Sequence, residues 1–125
     1  MTSTRTLLDR TFGLPDLPAL RAALGDCAIA SELPRQRGEE FVLAAYELLA
    51  HAIEHGGGGQ VRVHRAGGQL RCQVRDCGPA LPAGTMNGCG LGVARALADQ
   101  LDITRHCDGT TTTMAMNIPV AQARR

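Results

Sequence analysis

A chain of 125 residues, 44% apolar and with a formal charge of +1, has the size of one domain with one core and lacks the charge imbalance of a nucleic-acid or membrane-surface binder. Aromatic residues make up only 2%, with no Trp and a single Tyr, Tyr46, so the interior must be built from Leu, Val, Ile and Ala, and no base-stacking surface is available. The segment Met1 to Asp9 is polar, no apolar run has signal-peptide or membrane-spanning length, and the five cysteines (Cys27, Cys72, Cys77, Cys89 and Cys107) contain no C-x-x-C pair. A cytoplasmic, reducing setting is expected, with neither nucleic acid nor membrane among the partners.

Thr6 to Leu14 reads as a short first strand. Leu17 to Ala30 reads as a helix, with Asp16 and Pro18 giving a cap-then-proline start, and Pro34 interrupts it. Glu39 to His55 has the strongest helical pattern: Phe41, Ala45, Leu48 and Ala52 recur at helical spacing with Val42, Leu49 and Ile53 beside them. Gly56 to Gly59 end that helix. Gln60 to Arg65 and Gln69 to Asp76 alternate apolar and polar residues around Ala66-Gly67-Gly68, the pattern of a β-hairpin. A Gly- and Pro-rich loop, Pro79 to Gly90, leads to a helix over Leu91 to Gln100. Strands over Leu101 to Cys107 and Thr111 to Ile118 flank an Asp108-Gly109 turn. This order predicts an α/β two-layer sandwich, a largely antiparallel mixed sheet with helices on one face, over a single domain spanning 1–125.

Four short patterns carry chemistry. On the long helix, Glu47, His51, Glu54 and His55 share one arc, roughly opposite the apolar residues; taken alone this is an ordinary solvated face. Asp76-Cys77-Gly78-Pro79 closes a strand, where a carboxylate can accept a hydrogen bond from an exocyclic amine and a glycine lets the backbone approach a flat ring. Gly88-Cys89-Gly90-Leu91-Gly92 runs directly into a helix, leaving backbone N–H groups to meet phosphate oxygens. It has neither the Walker nor the G-x-G-x-x-G spacing. Gly109-Thr110 opens the last strand. Each pattern is weak by itself.

In this order and spacing, the four resemble the GHKL (Bergerat-fold) ATPases, and within them the small anti-sigma-factor serine kinases of Gram-positive bacteria. Glu47 to Gly56 is similar to the family's N box, Val74 to Ala80 to its first glycine box, Gly88 to Asp99 to its second glycine box and following helix, and Gly109-Thr110 to its closing Gly-Thr. The similarity runs from about Phe12 to Met116. It implies that Asp76, with Gly78 and Thr110, reads the adenine of ATP or ADP. It further implies that Gly88, Gly90, Leu91 and Gly92 hold the phosphates, and that Glu47 is the catalytic base toward a partner's serine. The implied partners are an anti-sigma-factor antagonist, a sigma factor, or both, and a homodimer is implied as well.

Three departures favour a second reading, a non-catalytic interaction module. His51 replaces the family's metal-binding asparagine, and imidazole is a poor ligand for Mg²⁺. Ala80 replaces a usual glycine, and the segment between the glycine boxes, Leu81 to Asn87, is short and uncharged. A third reading rests on His51-Ala52-Ile53-Glu54-His55, which fits the H-x-x-E-H metal pattern; a metal site on His51 and His55 is a better expectation than a protease, because no third carboxylate ligand is evident downstream. Cys77 and Cys89 fall inside the glycine boxes, where small inert residues are the expectation over redox-active ones.

Overall fold

The structure, a computed structural model, describes residues 4–76, 78 and 91–119. Strand β1 (Thr4–Gly13) leads through a 3-10 turn (Leu14–Asp16) into α1 (Leu17–Ala30) and α2 (Arg35–Gly56). The hairpin β2 (Gly58–Ala66) and β3 (Gln69–Asp76) follows, then α3 (Gly92–Leu97) and the hairpin β4 (Gln100–His106) and β5 (Gly109–Asn117). The five strands form one sheet in the order β1-β2-β3-β5-β4. The α/β sandwich is as expected, except that every pairing among these strands is antiparallel, with no mixed pair.

The core is mainly aliphatic, as expected, but Phe12 and Phe41 are also buried in it, with Met114, Met116, Cys27 and Cys72 beside the Leu, Val, Ile and Ala side chains. Leu70, Cys72 and Val74 of β3, Met114 and Met116 of β5, and Val61 and Val63 of β2 are buried. They join Leu20 and Leu24 of α1 and Phe41, Leu48 and Leu49 of α2 in one cluster. Strand parity sets this: alternate residues share a face, and that face meets the helical layer.

Several element ends differ from the sequence reading. Helix α2 begins at Arg35 rather than Glu39. Pro34 stands at its N-cap with φ −55°, and its carbonyl accepts the Gly38 N–H at 2.8 Å. Gly38 is kept inside the helix by close packing: a Cβ there would lie 3.4 Å from the Ala28 Cβ. Helix α3 stops at Leu97, three residues before Gln100. Arg37 of α2 donates to the Leu97 carbonyl at 3.1 Å and to Asp99 Oδ2 at 3.1 Å, while Asp99 accepts the Asn117 N–H at 2.8 Å. Asp16 does not cap α1 with its side chain; its Oδ2 turns back to accept the Gly13 N–H at 2.8 Å.

Candidate functional site

The four glycines after α2 do more than stop the helix. Gly56 is its last residue, and Gly57 takes the left-handed conformation at φ 76°, its N–H returning to the Ile53 carbonyl at 2.8 Å. Gly58 and Gly59 already belong to β2, where Gly59 pairs with Asp76. The end of α2 is thereby set against the end of β3. A Cβ on Gly78 would lie 2.4 Å from the His55 carbonyl oxygen, and one on Gly56 would lie 3.2 Å from the Asp76 Cβ. Only glycine permits this approach.

Asp76 continues the parity of Leu70, Cys72 and Val74, so its carboxylate enters the buried face and is 6% exposed. Its Oδ1 accepts the Gly78 N–H at 3.1 Å. Across the sheet it stands opposite Thr110, which is 3% exposed and is followed on the same face by buried Thr112. A buried carboxylate with a hydroxyl beside it can accept from a ligand amine and reject a ligand carbonyl.

The arc on α2 is not a simple solvated face. His51 is buried, Glu47 and His55 are half-buried, and only Glu54 is exposed. The rings of His51 and His55 lie with centroids 4.3 Å apart, tilted by 56°. Glu47, His51 and Glu54 open onto a cleft of about 340 Å³, whose other walls are Leu14, Leu17, Ala50 and Ile53. Glu47 Oε1 has no hydrogen-bond partner among the described residues. A carboxylate so placed, at the edge of a cleft, can take up a proton from a group brought into it.

Leu91 is buried at the start of α3, and its carbonyl accepts the Arg95 N–H at 2.9 Å. Gly92 is exposed, and a Cβ there would meet nothing within 4 Å. Gly88 and Gly90 lie outside the described residues, as do Cys77, Ala80, Cys89 and the segment 81–87. The structure therefore brings Asp76, Gly78 and Thr110 together beside the end of α2, and gathers Glu47 and His51 on the cleft.

Sequence reasoning missed the cleft walls Leu14, which opens the turn before α1, and Leu17, the first residue of α1; only the Pro15-Asp16 turn between them could have suggested either. It also missed Arg37, whose hydrogen bonds tie α2 to the end of α3.

Among solved structures, the RsbU and RsbW domains of Rv1364c from Mycobacterium tuberculosis are similar at a TM-score of 0.72 and 26% identity. That alignment covers 89% of this chain and 32% of that one. The blue-light activated histidine kinase EL346 of Erythrobacter litoralis is similar in fold, with a TM-score of 0.58 and 24% identity over 84% of this chain and 43% of that one. So is the histidine kinase AdeS of Acinetobacter baumannii, with a TM-score of 0.56 and 14% identity over 91% of this chain and 69% of that one. The chain thus spans about a third of the length of the first and less than half of the second. No curated protein matches it by sequence. The model of the histidine kinase-like ATPase domain matches residues 13–116, which include Asp76, Thr110, the cleft and the start of α3, and the chain belongs to that GHKL-type family.

Proposed function

We propose that the chain is an ATP-binding regulatory domain of the anti-sigma-factor type, a single domain over residues 1–125. The observation that carries the nucleotide reading is the register of β3 and β5, which sets the buried Asp76 carboxylate opposite buried Thr110. In this reading Asp76 accepts from the adenine amine, Thr110 supports that contact, and Gly78 lets the ring lie close. Gly88, Gly90, Leu91 and Gly92 meet the phosphates. Similarity to a structure that contains an RsbW domain supports a sigma factor, its antagonist, or both as partners. A homodimer belongs to the same proposal.

Glu47 is the base for transfer to a partner's serine. Its carboxylate takes the hydroxyl proton as the serine oxygen bonds to the γ-phosphorus and ADP leaves. Mg²⁺ does not fit the residues present. The side chain at the position in question is His51, a buried nitrogen donor against a second imidazole, whereas Mg²⁺ requires oxygen donors in octahedral geometry. That mismatch favours a second reading, a non-catalytic interaction module whose nucleotide site is degenerate and binds nucleotide weakly or not at all.

Calorimetric titration with ATP, ADP and GTP, each with chelator and with Mg²⁺, tests both. Adenine-selective binding supports the nucleotide reading, and equal affinity for GTP overturns it. Phosphate transfer to a co-purified antagonist separates the kinase from the module.

A further inference from the structure

At the end of α2, His51, Glu54 and His55 each offer one possible ligand atom, and those atoms all lie within 4.8 Å of one another. Steps of three and four residues place Glu54 and His55 each one turn from His51 on the same side of the helix, and two imidazoles four residues apart is the arrangement by which a helix supplies them to one metal. The two rings already sit with centroids 4.3 Å apart.

Three further observations point to a cation there. His55 Nε2 is buried and has no hydrogen-bond partner among the described residues, a state that costs free energy until a ligand occupies it. Glu54 is exposed, and the cleft of about 340 Å³ is lined by Glu54 and His51, so an ion can enter and keep solvent ligands. The site lies at the C-terminal end of α2, where the helix dipole favours positive charge.

We propose that His51, Glu54 and His55 form a binding site for a divalent transition-metal ion of the zinc, cobalt or nickel class. Two imidazole nitrogens and one carboxylate suit these borderline ions and exclude Mg²⁺ and Ca²⁺, which take oxygen. Three protein ligands leave at least one position to solvent or to a bound group. Glu47 lies on the same cleft but outside the three-atom cluster, so it is not a ligand. All three ligand atoms come from α2, so the cluster is complete without nucleotide.

The test is titration of the full chain with cobalt(II) chloride in chelator-stripped buffer, without nucleotide. One ion binds per chain, gives the weak visible bands of nitrogen and oxygen ligation, and raises the thermal midpoint. His51→Asn and His55→Gln each weaken binding by about 100-fold or more, since loss of a mere supporting contact to a ligand already costs roughly 10–100-fold. Glu54→Gln weakens it by about tenfold, and because Glu54 is exposed this variant keeps its fold even if a histidine variant does not. Binding of equal strength in all three variants overturns the proposal. So do intense near-ultraviolet sulfur-to-cobalt bands, which would place the ion on cysteine thiolates, and so does a folded parent that takes up no cobalt.

Discussion

Asp76 on β3 stands directly opposite Thr110 on β5, and both side chains are buried on the helical side of the sheet. A carboxylate buried at the last position of a core-facing row has no packing reason to be there, since an apolar residue would fill the place at lower cost. The adenine contact proposed above would supply a reason. We expect Asp76→Asn to weaken ATP and ADP binding at least about tenfold, the scale of a charge-assisted hydrogen bond. The fold should survive, because an Asn oxygen can still accept the Gly78 N–H. Calorimetry together with thermal melts checks both halves.

Gly78 fixes the approach of β3 to α2. A Cβ there would sit 2.4 Å from the His55 carbonyl oxygen and 2.9 Å from the Gly56 Cα, and neither backbone atom can step aside cheaply. Gly78→Ala should therefore destabilise by about 1–3 kcal/mol. Gly25, inside α1, is the contrast, since a Cβ there meets nothing within 4 Å. Gly25→Ala should stabilise by about 0.5–1 kcal/mol through helix propensity. Urea unfolding of the two variants should give shifts of opposite sign.

The parity that buries Asp76 was legible in the sequence, because the alternation of β3 places residue 76 on the same side as Leu70, Cys72 and Val74. The helix-ending glycines and the two hairpins were legible for the same local reason. The start of α2 and features set by distant partners were not. Gly38 reads as a poor helix former, yet α2 begins before it, at Arg35 behind the Pro34 N-cap, where the Gly38 N–H closes the first turn on the Pro34 carbonyl. The early end of α3 depends on Arg37, sixty residues before Leu97. On a helical wheel His51 joins the polar arc, yet it is buried in the wall of a cleft shared with Leu14 and Leu17. Wheel geometry gives direction but not what lies in that direction.

His64 should make stability sensitive to acid. It lies on β2 opposite Thr6 and Arg71, and its pKa is lowered from 6.5, first by burial and then by the charges of Arg62 and Arg71. A folded value below the unfolded one means the unfolded chain binds the proton more readily. The contribution is therefore complete above pH 6.5 and is lost as pH falls through the lower folded value. Thermal midpoints of the parent and His64→Gln, compared across that window, should diverge, with the variant declining less. Parallel curves would show that His64 does not carry the effect.

In the proposed kinase reading, Glu47 belongs to transfer chemistry rather than to docking. Its Oε1 has no hydrogen-bond partner among the described residues, so replacing the carboxylate removes a proton acceptor and no hydrogen bond of that atom. Glu47→Gln should leave complexes with the partner intact while phosphate transfer falls by about 100-fold or more, the scale of general-base catalysis. Retained transfer activity in the variant would mean that another group takes the proton.

In the proposed nucleotide site, His51 would set how binding answers to Mg²⁺. A neutral imidazole gives one nitrogen lone pair, a poor match for a cation that releases its waters reluctantly, and a protonated one repels it. His51 is also buried against His55, so it has little freedom to withdraw and let solvent oxygen stand in its place. Added Mg²⁺ should then tighten ATP binding to the parent by less than a few-fold. His51→Asn supplies an amide oxygen at the same backbone position and should restore a clear Mg²⁺ dependence. Calorimetric titration of both proteins, with Mg²⁺ and with chelator, reads the difference directly. A strong Mg²⁺ requirement in the parent would show that other oxygens complete the site and would favour the kinase over the module. If neither protein binds ATP while both still bind the partner, the fault lies elsewhere than His51, and the interaction module is the better account.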